Sequence, residues 1–328
     1  MALVLKDVIG IATKRLEMAG CGTPKLDAEV LLSHYLQVDR SFIFAHYSDD
    51  LDDKRCEAYF EIIDIRAAGV PVPYITGTQE FMGISFKVNQ NVLIPRPDTE
   101  TLVEETIRIA SEKKRFLGGN IDILDLCCGS GAICVSLAYY LPKARLEGTD
   151  ISKKALETAR RNAADYGLAG RIKFVQGDLF GPVKTGAFGK GRFDMIVSNP
   201  PYIKSEEVRR LQREIVEFEP LIALDGGTDG LDFYRRIVSE APRHLKKEGL
   251  LMLEIGFDQA DDLRRIIEDD GRYAAPEIMK DLAGLDRVVK VRLAAAERKP
   301  AKKTKKAKES KAKEGKPEAI EGEAIEKK

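Results

Sequence analysis

From about Ile121 the chain alternates strand-length apolar runs with helical stretches, and the early runs end on polar residues. The runs are IDILDLC, ARLEGTD, RIKFVQGD, FDMIVSN and GLLMLEIG, then the late pair PEIMKDLAG and RVVKVRL, with helical stretches such as SKKALETARRNAADYG between the early ones. Repeated βα units predict an α/β fold with a parallel, doubly wound sheet. Ligands of such sheets bind beyond the carboxyl ends of the strands, which makes the polar strand ends the candidate site.

Upstream the pattern changes. From Leu3 to about Ala68 apolar residues recur at helical spacing, punctuated by Gly20-Cys21-Gly22 and Gly69, which predicts a small bundle of helices. QEFMGISFKVNQNVLIPRP then alternates apolar and polar residues around Met82-Gly83 and Asn89-Gln90-Asn91, the pattern of a β-hairpin bridging two domains. After Pro97 a helix is expected, with Asp98 or Thr99 as its N-cap. The expected divisions are a helical domain at 1–76, a hairpin linker at 77–97, a sheet domain at 98–293 and a tail at 294–328.

Composition narrows the classes of function. With 328 residues and 44% hydrophobic residues, the chain can bury the core of one large and one small domain. No apolar stretch reaches the roughly 18–20 residues of a membrane span, and MALVLKDVIG lacks the parts of a signal peptide. A cytoplasmic protein without membrane contact is expected. Five cysteines without CxxC spacing and three scattered histidines argue against a disulfide scaffold and a metal site. Residues 294–328 carry twelve Lys/Arg against seven Glu, so the tail is formally +5 and the body −5. Lacking aromatic residues and poor in apolar ones other than alanine, the tail is expected to be disordered. Either it is simply solvated, or it gives weak, salt-sensitive attraction to RNA or the ribosome.

The first strand ends in DLCCGSGAI, Asp125 to Ile133. Gly129 and Gly131 permit a tight turn that brings backbone N–H groups to a cofactor at a helix N-terminus, although Cys134 replaces the third glycine of the dinucleotide fingerprint. The second strand ends at Asp150, where a carboxylate can accept both hydroxyls of a ribose. The third ends in GDLF, where Asp178 can accept from an adenine amino group while Leu179 packs on the ring.

The fourth strand ends in Asn199-Pro200-Pro201-Tyr202. A nicotinamide enzyme needs hydride chemistry and an acid or base, which this turn does not supply. A planar NH2 group, by contrast, is a poor nucleophile that must be held and aimed. The Asn199 side-chain carbonyl and the Pro200 backbone carbonyl form a pair of acceptors, stiffened because both prolines have fixed φ and no N–H. Tyr202 supplies a wall or stacking surface.

PVPYITGTQEF, LIPRPDTETLVE, ILDLCCGSGAI, VSNPPYI and EFEPLIALDGGTDGLDFYRRI, in this order and spacing, resemble the bacterial release factor glutamine methyltransferases, the PrmC/HemK family, over roughly residues 1–293. The resemblance implies a class I, Rossmann-like methyltransferase domain whose seven-stranded sheet has one antiparallel strand near its edge. It also implies methyl transfer from S-adenosylmethionine to the side-chain amide nitrogen, N5, of the glutamine in the GGQ loop of peptide chain release factors, modulating translation termination. Residues 1–76 would then grip the protein substrate. Carried over, the cofactor loop falls on Cys127, Cys128, Gly129, Ser130 and Gly131, preceded by Asp125. The ribose acid falls on Asp150, the adenine side on Asp178 and Leu179, and the amide clamp on Asn199 to Tyr202, with Asn199 near both cofactor and substrate. Cys127 stands where the family commonly has its first glycine, and it is expected to tolerate that place with a negative φ. Arg96 would pair with a carboxylate or shape the substrate mouth, and Glu100 would orient its helix. A monomer without specific DNA binding is expected. The alternatives are a DNA adenine-N6 methyltransferase, whose flipped base would stack on Tyr202, and a glutamine methyltransferase of a ribosomal protein.

Overall fold

The computed structural model describes residues 3–117, 120–183 and 192–294, so the expected tail lies, from residue 295, outside the described residues. The first helices are α1 (Leu5–Met18), α2 (Pro24–Leu36), α3 (Arg40–Ala45), α4 (Asp53–Ala67) and α5 (Val72–Thr76). α1 buries Leu5, Val8, Ile9, Ala12 and Leu16, one stripe of a 3.6-residue repeat. That stripe meets Leu31 and Leu32 of α2 and Tyr59 and Ile63 of α4 in one apolar core. The Tyr59 hydroxyl donates to the carbonyl of Ala28 at 2.9 Å, satisfying the polar tip of a buried ring. α4 begins where the Asp52 side chain accepts the Arg55 N–H.

The hairpin pairs Thr78–Phe81 with Ile84–Lys87, Phe81 opposite Ile84. Met82 and Gly83 both have positive φ, 53° and 67°, the signature of a two-residue type I′ turn. Its tip is fixed from both sides. The Met82 N–H donates to Glu100 at 2.7 Å, and its carbonyl accepts the Tyr140 hydroxyl at 2.6 Å. Glu100 therefore anchors the hairpin at the start of α6 (Glu100–Leu117). Neither Asp98 nor Thr99 caps that helix as expected; Pro97–Thr99 forms a 3-10 turn leading into it.

Seven strands make the main sheet: β1 (Asp122–Leu126), β2 (Arg145–Asp150), β3 (Ile172–Gln176), β4 (Phe193–Ser198), β5 (Leu245–Glu254), β6 (Glu277–Lys280) and β7 (Asp286–Arg292). They lie in the order β6-β7-β5-β4-β1-β2-β3. β7 runs antiparallel to both β5 and β6, and the pairings from β5 through β3 are parallel. Helices α7 (Ala132–Tyr140), α8 (Lys153–Asp165), α11 (Asp232–His244) and α12 (Ala260–Asp270) cover the sheet, while short α9 (Ser205–Val208) and α10 (Arg213–Phe218) lie in the long segment after β4. Central strands covered on both faces are mostly apolar, and side chains alternate between two cores. Ile123, Leu146, Val197 and Met252 join one core, and Leu124, Leu126, Ile196 and Leu253 the other. The strand order reverses at β1, with β2 on one side and β4 on the other, and the ends of these strands open onto the site.

Candidate active site

Two cavities adjoin at the carboxyl ends of β1, β2, β4 and β5. The larger, of about 210 Å³, is lined by Cys127, Gly129, Asp150, Asp178, Leu179, Asn199 and Pro201 among others. The smaller, of about 110 Å³, is lined by Arg96, Asn199, Tyr202, Ile215, Leu224 and Glu254 among others. Leu93, Asn199 and Ala223 belong to both walls.

The glycine turn shapes the floor of the larger cavity. Gly131 has φ of 79°, and a Cβ there would stand 3.0 Å from the Ala159 Cβ, so only glycine lets α8 approach. The Gly129 N–H donates to Asp150 Oδ2 and the Ser152 N–H to Oδ1, each at 2.8 Å. Burial raises the pKa of Asp150, and these two amides oppose the rise. A carboxylate so fixed retains lone pairs for hydroxyl donors. Asp178 is exposed at the rim, where Arg236 holds it at 2.6 Å. Leu179 and Phe233 contribute apolar wall.

Several expected cofactor residues stand elsewhere. Asp125 is fully buried in β1, on the face it shares with Ile123, and among the described residues no well-formed hydrogen bond reaches its carboxyl, although Cys134 lies close enough to favour the ionised form. Strand alternation turns it toward Cys134 of α7 and away from the cavity wall, and burial pushes its carboxyl up to about 8. Cys128, Ser130 and Gly131 likewise lie off that wall and build the turn; the Ser130 carbonyl accepts from Asn162. Cys127 lines the cavity, but its φ is 59°, contrary to the negative value expected for a residue carrying a Cβ. Burial, then the charges of Asp150 and Asp125, push its thiol up, which makes it a poor nucleophile.

At the end of β4, Asn199 Nδ2 donates to Thr99 Oγ1 at 3.1 Å, leaving Oδ1 as the free acceptor of the amide. Pro200 is buried and lies on neither wall, and its carbonyl carries no hydrogen bond among the described residues. The backbone of the turn is fixed from behind. Gln259 donates to the Tyr202 carbonyl at 2.9 Å, and Gly226 sits so close that a Cβ would meet the Tyr202 Cα at 2.7 Å. The Tyr202 hydroxyl donates to Glu254 Oε1 at 3.3 Å. Arg96 pairs with the buried carboxylate of Glu219, which also accepts the Ile94 N–H at 3.1 Å, so Arg96 both meets a carboxylate and lines the smaller cavity.

Residues overlooked in the sequence are Thr99, Glu219, Phe233, Arg236 and Glu254. Glu254 carried a usable signal, a carboxylate at the carboxyl end of a parallel strand. The others come from loops and helix faces, whose approach to the cavity only the folded chain reveals.

The sheet order, with its single reversed strand and a site at the switch point, defines a class I, Rossmann-like methyltransferase. Residues 7–77 match the family model of the PrmC N-terminal domain, and residues 117–315 match a methyltransferase domain. A release factor glutamine methyltransferase of Clostridium acetobutylicum is 41% identical over 267 residues, 80% of this chain and 89% of that protein. One of Moorella thermoacetica is 41% identical over 285 residues, 87% of this chain and 97% of that protein. The solved hMettl16 catalytic domain, at 16% identity and a TM-score of 0.51 over 71% of this chain and 82% of that one, shares the fold. The chain belongs to the release factor glutamine methyltransferase family.

Proposed function

We propose that this protein transfers a methyl group from S-adenosylmethionine to the side-chain amide nitrogen, N5, of the glutamine in the GGQ loop of peptide chain release factors, acting in the cytoplasm and modulating translation termination. The observation that carries the reading is Asn199, which belongs to the walls of both cavities while its own NH2 group is tied to Thr99. The larger cavity suits the cofactor: a fixed carboxylate, Asp150, for hydroxyl donors, apolar walls at Leu179 and Phe233 for a base, and Asp178 at the rim. When bound, S-adenosylmethionine supplies an electrophilic methyl group on a sulfonium.

The chain's own residues hold and aim the nucleophile. Asn199 Oδ1 and the Pro200 carbonyl accept the two N–H bonds of the carboxamide, keep it planar and push electron density toward nitrogen. Tyr202 closes one wall and the segment from Leu211 to Leu224 another, excluding water from the smaller cavity. Near-attack positioning of this kind is worth up to roughly 7–11 kcal/mol in favourable models. Residues 1–76 grip the protein substrate, residues 77–97 link, residues 98–293 carry the transferase, and the protein works as a monomer.

The test is N199A. Cofactor affinity measured by calorimetry should stay within about fivefold of wild type, while turnover on a release factor falls by about 100-fold or more, the scale of losing one transition-state acceptor. Turnover within about threefold of wild type would remove Asn199 from the chemistry.

A further inference from the structure

Glu254, the last residue of β5, is 1% exposed, yet it lines the smaller cavity beside Asn199 and Tyr202. Its Oε1 accepts the Tyr202 hydroxyl, while Oε2 is buried without a well-formed hydrogen bond among the described residues. An open carboxyl oxygen in such a place is costly unless it serves another group. Thr99 supplies the link. Its Oγ1 accepts from Asn199 Nδ2 at 3.1 Å, so its own proton is left to donate, and it lies near enough to the Glu254 carboxyl to favour the ionised form.

We propose that ionised Glu254 is a positioning residue, acting through Thr99 to hold the Asn199 amide with Oδ1 toward the smaller cavity and to strengthen that oxygen as an acceptor of a carboxamide N–H. The proposal rests on the reading of Asn199 as the amide clamp. A carboxylate that accepts the Thr99 hydroxyl makes the Thr99 oxygen a better acceptor from Asn199 Nδ2. Amide resonance then moves density onto Oδ1, and chains of this kind strengthen by about 10–30% per bond. They also fix which end of the amide faces the cavity. An Asn199 turned the other way would present N–H donors to the N–H donors of the substrate.

The charged groups around Glu254 have partners of their own. Arg287, which favours the ionised carboxyl, is held by Asp281 at 3.1 Å and Asp98 at 3.3 Å. Arg96 on the same wall is held by Glu219. Tyr202 keeps its proton, because burial and the neighbouring Glu254 raise its pKa. Burial pushes Glu254 itself up to about 7, opposed by Thr99, Arg287 and Tyr202, so the ionised form is gained as pH rises through neutrality.

The experiment uses the full chain, a purified release factor and S-adenosylmethionine. Wild-type kcat should rise with pH through about 7 and then level. E254Q should lower kcat by about 10-fold to 100-fold, the scale of one hydrogen bond to a charged group. Its KM for the cofactor should stay within about threefold, and the inflection should vanish. T99A should cost a similar factor, and T99A/E254Q little more than either alone. Independently of turnover, the Asn199 side-chain NH2 resonances of the unliganded wild-type protein should titrate near pH 7 and cease to do so in E254Q. An unchanged pH profile in E254Q, effects that multiply in the double variant, or an Asn199 resonance indifferent to E254Q would overturn the proposal. If wild type methylates no release factor, the proposed function falls, and the resonance titration still decides whether Glu254 and Asn199 are coupled.

Discussion

Asp125 shows what a strand buried on both faces does to a carboxyl. In the sequence it stands two residues before Cys127, the start of the cofactor loop; folded, it faces Cys134 of α7 with no well-formed hydrogen bond to either oxygen among the described residues. Its pKa is raised from an unfolded value of about 4 to about 8, so folding favours the protonated form. The sign follows: the stability it leaves intact is full below pH 4 and is lost as pH rises toward 8, by up to about 1.4 kcal/mol per unit. D125N removes the titration. The difference in urea-unfolding free energy between D125N and wild type should therefore grow in favour of D125N from pH 5 to pH 8; a difference independent of pH would show that Asp125 is ionised in the fold. Cys127 carries a related lesson. Its place at the strand end was legible, its left-handed backbone was not, because φ is set by the turn that must bring Gly129 to Asp150.

Among elements, the segment after β4 does most to shape the site. It supplies Ile215 and Leu224 to the smaller cavity and Pro220 and Ile222 to the larger one. Glu219 pins it, taking the Ile94 N–H and the Arg96 guanidinium with one buried carboxylate. E219A should cost about 2 kcal/mol of unfolding free energy and weaken cofactor binding as well, whereas E219Q, which still accepts the Ile94 N–H, should lose less of both. Equal losses in the two variants would assign the effect to the charge pair alone. The hairpin at Met82-Gly83 and the N-terminal helices were readable from a period of 2 or 3.6 residues, and the sheet strands from apolar runs that end on polar residues. The reach of Glu219 to Ile94, 125 residues away, has no local signature. Asp98 or Thr99 was expected to cap the helix after Pro97; the Thr99 hydroxyl instead serves Asn199, 100 residues on.

At the scale of the whole molecule, the N-terminal helices and the active-site segment share one buried ion group. Arg66 of α4 lies 2.8 Å from Asp27 of α2 and 2.8 Å from Glu214 of α10, its side chain 7% exposed. Its planar fork suits two carboxylates at once. The helices that would grip a protein substrate are thereby tied to the segment that walls both cavities. Family and fold were legible through motifs at strand ends, whereas this tie and the pairing of two cavities at Asn199 emerge only when the loops close. The most direct measurement incubates the full chain with S-adenosylmethionine and a purified peptide chain release factor, then weighs and sequences the peptide containing GGQ by mass spectrometry. The expected result is the mass of one added methyl group on the glutamine side chain, formed about 100-fold more slowly with N199A. A GGQ peptide of unchanged mass, from protein shown by calorimetry to bind the cofactor, would contradict the proposed function.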